Sequence, residues 1–266
     1  MSEPETRRIC VLVKAHPQPS QLMRETVCCA GICIDTGQFL RLYPIPYRQL
    51  SKEQRFNRYD IIEVSCARNT SDHRPESYKV NPDSIKILTA AKASEQESKH
   101  RLWLPHVSAS LEALRAENQI TKRSLGIIKP DEGSIRFIMN KLSDEQMAER
   151  EAIQSVYQQS LLFNDNATSP LPSPQYSFKY RYTSAGKSSE MTLHDWEVQA
   201  AYWNFTRQYG HSEGLDKLRY KYQTELPERN LHIILGTMKA HPHQFIAIGL
   251  LRPKNLEAIQ SQPTLF

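Results

Sequence analysis

Short apolar runs alternate with polar turns along residues 1–88, which is the pattern of β-strands. The runs predict strands over residues 8–14, 26–34, 38–43, 59–66 and 84–88. The turn at residues 35–37 is short and contains a glycine, so the second and third runs are expected to form a β-hairpin. Because prolines interrupt the connections, five such strands predict a small barrel or a twisted sheet.

Helical and strand patterns are mixed in the rest of the chain. The predicted helices cover residues 107–118, 143–160, 192–209 and 214–222, and the predicted strands cover residues 124–130, 134–139, 176–182, 231–238 and 244–251. Ser143 and Gln146 have the spacing of a capping box, and Thr192 is the expected cap of the third helix. Residues 185–190 are polar and are expected to form a loop. These elements predict an α+β unit.

Asparagine, serine and proline are concentrated in one stretch, which predicts a linker at about residues 164–175. Basic residues are concentrated in another stretch, residues 41–58, where four arginines and a lysine face a single acid, Glu53. Arginine is well suited to two-point contacts with phosphate. A solvated loop would explain the same block equally well, and the net charge of +5 for 266 residues does not identify a partner.

The five cysteines indicate the cellular compartment. None of them has the C-x-x-C spacing of a metal or redox motif, and the segment around Cys28, Cys29 and Cys33 is apolar. We therefore expect buried free thiols and no disulfide framework. The chain also shows no signal-peptide pattern and no apolar run long enough to span a bilayer. These features predict a cytoplasmic protein without a membrane partner.

Several motifs in the first half resemble those of dual OB-containing domains. The resembling stretches are residues 27–32 (Val-Cys-Cys-Ala-Gly-Ile), 36–37 (Thr-Gly), 39–41 (Phe-Leu-Arg), 59–63 (Tyr-Asp-Ile-Ile-Glu) and 74–76 (Arg-Pro-Glu). The resemblance covers about residues 8–130, but residues 42–44 and the inserted loop at 45–58 depart from it. It implies an OB-like barrel.

The second half resembles a group of uncharacterised bacterial proteins that have an aromatic strand, a polar loop and an Asp-Trp-Glu segment, here residues 195–197. Relatives with cysteines in the polar loop are expected, but residues 184–189 contain none, so the sequence predicts no metal site there. We therefore predict an α+β protein with a mostly β, OB-like barrel module at residues 1–130 and a smaller α+β module at residues 131–266.

One candidate site is a basic and aromatic face on the barrel. The predicted nucleic-acid-binding residues are Arg41, Tyr43, Arg48, Arg55, Phe56, Arg58 and Arg74. OB-like barrels stack unpaired bases on aromatic rings while basic side chains follow the backbone. Strand alternation places Arg41 on the same face as Phe39 and Tyr43. The alternative is that both rings belong to the core and that Arg41 reaches an internal acid such as Glu63 or Glu76.

A second candidate site is formed by His194, Asp195 and Glu197. These groups are potential metal ligands or acid–base catalysts. Two acids at the start of a helix also complement the helix dipole, which explains them without any chemistry. Because Asp195 and Glu197 are two residues apart, they point about 200° away from each other on a helix, so the spacing argues against a shared ligand.

Several enzyme classes are disfavoured because their motifs are missing. The sequence has no P-loop, no dinucleotide-binding glycine motif, no HExxH and no GxSxG. The leading hypothesis is a non-enzymatic protein that binds DNA or RNA, in particular single strands, without a cofactor or metal. The alternative is a metal-dependent, nuclease-like enzyme, so catalytic activity stays undecided. A protein partner within a multi-gene system is a third hypothesis.

Overall fold

The computed structural model describes residues 3–15, 17–20, 24–91, 96–161 and 174–253. The strands of the first half are β1 (Glu5–Lys14), β2 (Gln18–Ser20), β3 (Arg24–Cys33), β4 (Phe39–Ile45), β5 (Ile61–Arg68), β6 (Ser77–Val80) and β7 (Lys86–Thr89). Five of them lie side by side in the order β1-β3-β4-β6-β5. The last strand of this series, β5, also pairs with the first, β1, which closes the ring. The first half is therefore a closed five-stranded barrel, which is compatible with an OB-like fold.

The second half adds five α-helices and seven strands within the described residues. The helices are α1 (Gln96–Trp103), α2 (Leu111–Thr121), α3 (Asp144–Leu161), α4 (Trp196–Tyr209) and α5 (His211–Tyr220). The strands are β8 (Val107–Ser108), β9 (Leu125–Ile128), β10 (Arg136–Lys141), β11 (Tyr176–Ser184), β12 (Lys187–Thr192), β13 (His232–Thr237) and β14 (Phe245–Leu251). One sheet has the order β14-β13-β9-β8, and the other has the order β10-β11-β12. The predicted α+β fold class is confirmed.

Strand alternation divides the barrel wall into an inner and an outer surface. Ile9 and Val11 of β1 belong to the cluster inside the barrel. Cys10 and Leu12 of the same strand belong to a different cluster, which also contains residues from one face of the four-stranded sheet, among them Ile127, Ile234 and Ile248. The central part of β1 is therefore buried on both faces, which explains its unbroken apolar run.

The structure corrects two details of the predicted elements. Residues 185–190, expected to be a loop, contribute a turn at Ala185 and Gly186 followed by most of β12. Both turn residues have positive φ, and the Asp131 carboxylate accepts hydrogen bonds from both of their amides. The cap of α4 is Asp195 rather than Thr192, because the Asp195 carboxylate accepts a hydrogen bond from the Glu197 amide.

One further predicted detail is confirmed, and two others, the linker and the division into modules, are not tested by the structure. The capping box at the start of α3 is confirmed, since Ser143 and Gln146 exchange both of its hydrogen bonds. The proposed linker falls mostly on residues 162–173, outside the described part. The division at residue 130 stays a prediction, although residues 107–128 already supply β8 and β9 to the sheet of β13 and β14. None of the described helices combines the length and the apolar character needed to cross a bilayer.

Glycine at position 249 allows the barrel to approach the four-stranded sheet closely. A Cβ atom at this position would lie 2.4 Å from Cγ2 of Val13. We therefore expect Gly249→Ala to lower the free energy of unfolding by about 1–3 kcal/mol, which is typical of overpacking. Chemical denaturation measures the change. Val13→Ala removes the clashing methyl group, so the double variant should lose less stability than the sum of the two single variants. Strict additivity would contradict this packing.

Two buried histidines pack against Trp103, the last residue of α1. The His100 and His232 rings lie 5.7 and 5.0 Å from the Trp103 ring. The pKa of each histidine is lowered to about 4, mainly because the ring is buried, and at His100 repulsion from His232 contributes to the lowering. Because the unfolded chain binds protons with an ordinary histidine pKa near 6.5, each group removes stability as the pH falls from about 6.5 to about 4.

His100→Phe should make this acid destabilisation shallower. Phenylalanine keeps the ring contacts with Tyr59 and Trp103, and the His100 Nδ1 atom has no hydrogen-bond partner among the described residues. Each fully titrating histidine contributes at most about 1.4 kcal/mol per pH unit. Urea unfolding between pH 7 and pH 4 measures the slope. Equal slopes in the variant and the wild type would show that His100 is not a buried neutral group.

Candidate functional site

The outer face of β3 and β4 is covered by the second half of the chain. In an OB-like barrel, the face of the second and third barrel strands is a usual ligand surface. Here Ala30, Ile32 and Phe39 from that face share a buried cluster with Leu125 and Ile248 of the four-stranded sheet. An oligonucleotide could reach this face only if the two halves separated, so accessible binding residues must lie elsewhere on the barrel.

Arg41 lies within this covered face. The residue is only 5% exposed, and its Nη2 atom lies 3.2 Å from both the backbone oxygen and the hydroxyl of Ser124. The Glu76 carboxylate accepts hydrogen bonds from the Ser124 amide and hydroxyl, both at 2.7 Å. Arg41 therefore belongs to a buried network that reaches Glu76 through Ser124, as the alternative hypothesis anticipated in part.

Three other predicted residues also have partners inside the protein. Arg74 is buried, pairs with Asp72 at 2.6 Å and donates a 2.6 Å hydrogen bond to the Thr237 carbonyl. Phe56 is fully buried and packs edge-on against Tyr47. Arg58 donates to the Leu250 carbonyl at 2.6 Å and faces Asp195 and Glu197. In this conformation, Phe56 and Arg74 offer no free surface to phosphate or to a base. The polar partners of the Arg58 guanidinium all lie in the second half of the chain.

The remaining predicted residues lie together on the barrel surface. Tyr43 is 42% exposed, and the parallel pairing of β4 with β6 places Lys79, also exposed, directly beside it. Arg55 is exposed and donates a 3.0 Å hydrogen bond to the carbonyl of Arg48. We call the surface formed by Tyr43, Arg48, Arg55 and Lys79 the barrel rim. Lys79 was not among the predicted residues because the sequence pattern does not predict its short strand, β6.

The strand β3 connects the two ends of the barrel rim. The Tyr43 hydroxyl lies 3.3 Å from the Thr26 hydroxyl, and the neighbouring residue Glu25 forms a 3.0 Å ion pair with Arg48. The aromatic ring and the arginines therefore border the same end of β3. The Glu25 carboxylate offsets part of the positive charge, so Arg55 and Lys79 are the most accessible cationic groups of the rim.

The acidic residues predicted from the second half converge on an arginine. The Arg58 Nη2 atom lies 3.1 Å from Glu197 and 3.6 Å from Asp195. The amide of His194 donates a hydrogen bond to the Ala247 carbonyl, and burial lowers the pKa of its imidazole. Among the described residues, no three His, Cys, Asp or Glu side chains are grouped so as to hold a metal ion. The nuclease-like alternative is not favoured.

Asp195 is an acidic residue that is almost completely buried, which is unusual for a carboxylate side chain. Its side chain caps α4, and its backbone forms an isolated bridge with Ala15. The pKa of Asp195 is raised to about 7, mainly because the side chain is buried and also because the Glu197 carboxylate is near, while Arg58 acts in the opposite direction. Desolvation affects the pKa of Asp195 more than either neighbouring charge does, because the side chain is almost completely removed from water.

A cavity of about 230 Å³ lies next to this acid pair. Its walls come from β1, from the segment between β4 and β5, and from the start of α4. The lining side chains that carry polar or aromatic groups are Lys14, Tyr47, Arg58, Asp195, Trp196 and Glu197. Lys14, Tyr47 and Trp196 were not predicted, since no sequence pattern shows that three segments so far apart in the chain meet at one place.

Asp195→Asn should change how stability depends on pH. The folded state holds a proton on Asp195 at higher pH than the unfolded state does, so this residue removes stability as the pH rises from about 4 to about 7. Asparagine keeps a capping oxygen but does not ionise. The variant should therefore gain stability relative to the wild type over this range, as measured by denaturation at several pH values. A constant difference would show that Asp195 titrates normally.

Two family models match the chain, each over a different range of residues. Residues 107–266 match a family model described as a domain of unknown function, DUF8757. Residues 5–106 match a second model with the same description, DUF8758. None of the curated proteins compared with the chain matches it. Because the first of these matches extends over more than half of the sequence, the chain belongs to the DUF8757 family, and it carries a DUF8758 domain before that region.

Proposed function

We propose that this protein binds single-stranded nucleic acid at the barrel rim and that it acts without catalysis. The observation that carries the proposal is the exposed ring of Tyr43 with a cationic side chain next to it. A base can stack on an exposed tyrosine whatever its sequence, and nearby cations can contact the phosphates on either side. The closed barrel, which is compatible with an OB-like fold, supports this proposal.

The pairing of β4 with β6 supports a stacking position at Tyr43. Tyr43 and Lys79 are register partners on parallel strands, and both are exposed. Neighbouring strands are separated by about 4.8 Å, so the ammonium group and the ring lie within reach of one nucleotide. The hydroxyl contact with Thr26 holds the ring in place. The ring therefore needs little ordering when a base stacks on it.

The arrangement of Arg55 supports phosphate contacts at the other end of the rim. Its guanidinium donates to the backbone carbonyls of Leu50 and Arg48, each at 3.0 Å. These bonds fix the orientation of a long side chain and leave part of its charge exposed. Phosphate contacts from such a group orient the strand but do not distinguish sequences. We therefore propose weak sequence preference.

The rim favours a single strand over a duplex because stacking needs an unpaired base. DNA and RNA are both candidates, since both expose the same phosphate chemistry. The described cysteines are all free thiols, which supports the proposed cytoplasmic location. A protein partner in a multi-gene system stays a proposal that the rim does not address.

Replacement of the rim side chains should weaken binding in two distinguishable ways. Tyr43→Leu removes the stacking ring and should raise Kd roughly 5- to 160-fold at constant salt, since stacking contributes about 1–3 kcal/mol per base. Arg55→Gln should weaken binding to all sequences and lower the salt slope by about 1. Fluorescence anisotropy with labelled DNA and RNA, single- and double-stranded, at several salt concentrations, measures both effects.

Two matched variants control for surface changes away from the rim. Tyr220→Leu removes an exposed tyrosine on α5, and Lys86→Gln removes an exposed lysine on β7. Both should bind like the wild type. The proposal fails if none of the four nucleic acids binds with a salt-dependent Kd, or if the control variants lose as much affinity as the rim variants.

A further inference from the structure

The cavity beside Asp195 has the dimensions of a site for one small molecule. A volume of about 230 Å³ corresponds to roughly eight water molecules at about 30 Å³ each. Sites for drug-sized ligands usually start at about 300 Å³. The apolar parts of the wall come from Val11 and Val13 of β1 and from Ala200 of α4. A single ring system with a small substituent would fill this space.

Two aromatic side chains favour a planar ligand. The rings of Tyr47 and Trp196 have centroids 5.4 Å apart and are inclined by 83°. A flat ring can stack on one of them and present its edge to the other, the two geometries that aromatic pairs prefer. The Lys14 ammonium lies 4.2 Å from the centre of the Tyr47 ring and donates hydrogen bonds to the Tyr47 hydroxyl and the Phe56 carbonyl. The aromatic wall is therefore held in a fixed position.

Arg58 and Asp195 present a hydrogen-bond donor and an acceptor side by side. The 3.6 Å between Arg58 Nη2 and Asp195 Oδ2 is too long for a good hydrogen bond between them. Both side chains line the cavity, so this edge is suited to a ligand that supplies an acceptor and a donor next to each other.

The charges around the cavity argue against a strongly charged ligand. Lys14 and Arg58 are balanced by Asp195 and Glu197, and the Glu197 carboxylate is already paired with Arg58 at 3.1 Å. A phosphate would meet both carboxylates, and an amine would meet both cations. A neutral ring with polar edges avoids both conflicts. Burial, which raises the pKa of Asp195, further reduces the net negative charge that a ligand would face.

We infer that this cavity binds a nucleobase-type heterocycle, a planar ring that stacks on Trp196 or Tyr47 and pairs its edge with Arg58 and Asp195. The inference goes beyond nucleic-acid binding at the barrel rim, because a free nucleoside without phosphate would suffice to fill the site. Tyr47 precedes the rim residue Arg48 in the same turn, so the two sites are close but use different side chains.

Titration with nucleosides tests the inference. Adenosine, guanosine, cytidine and uridine are added separately to the full chain, with ribose and inorganic phosphate as further probes, and heat and tryptophan fluorescence are recorded. At least one nucleoside should bind at a 1:1 ratio, with little dependence on salt, while ribose and phosphate should not bind. Binding of phosphate alone, or of no nucleoside, would overturn the inference.

Ala200→Leu fills the cavity without removing any polar group and should weaken nucleoside binding at least tenfold. Gln208→Leu makes a similar apolar addition at an exposed position of α4 and should leave binding unchanged. Asp195→Asn exchanges part of an acceptor for a donor and should change the order of preference among the four bases. These variants are compared only after their thermal unfolding shows a folded protein.

The outcomes separate this inference from the proposed function. Tyr43→Leu should weaken oligonucleotide binding without changing nucleoside affinity, because Tyr43 does not line the cavity. Nucleoside binding without oligonucleotide binding would support the cavity and reject the rim. If Ala200→Leu folds and binds nucleosides as tightly as the wild type, the ligand lies elsewhere and the inference is wrong.

Discussion

The packing of the outer barrel face against the four-stranded sheet determines much of the architecture. Residues from β1, β3 and β4 fill this junction together with residues from β9, β13 and β14. Neither surface could be exposed to water without a large apolar area becoming solvated. Three arginines of the barrel become partly or fully buried by the junction. Each donates a hydrogen bond to the second half: Arg41 to Ser124, Arg74 to Thr237 and Arg58 to Leu250. Because desolvation offsets much of the attraction of a buried charge, we expect these contacts to fix the relative position of the halves more than to add stability.

This junction also shows what the sequence could and could not predict. Strand alternation correctly identified most barrel strands and placed Arg41 and Phe39 on one face, opposite the barrel interior. Alternation specifies which residues share a face, but not whether that face meets water or a second sheet. The arginines therefore had the pattern of a binding surface and the environment of a buried interface. The closing strand β6 and the strand β12 were missed because they are short or carry few apolar residues.

The candidate sites were predictable to different degrees for the same reason. Tyr43, Arg48 and Arg55 lie within one stretch of sequence, so local composition was enough to identify most of the barrel rim. The cavity joins β1, the segment after β4 and the start of α4, which only the folded chain brings together. Asp195 and Glu197 were recognised as candidates, but their common partner, Arg58, had been assigned to phosphate. The structure instead places that charge between the two carboxylates.

A single segment, residues 46–58, connects the rim with the cavity, and it is fixed on both sides. Phe56 is inserted into the barrel core, while the Gln54 amide donates hydrogen bonds to the carbonyls of Pro82 and Ile85. Tyr47 and Arg58 face the cavity, whereas Arg48 and Arg55 contribute to the rim. Binding to a segment that is already ordered costs less conformational entropy than binding to a flexible loop. Since its backbone is held at so many points, side chains facing opposite ways can be replaced separately, and this is why the rim and the cavity can be tested as independent sites.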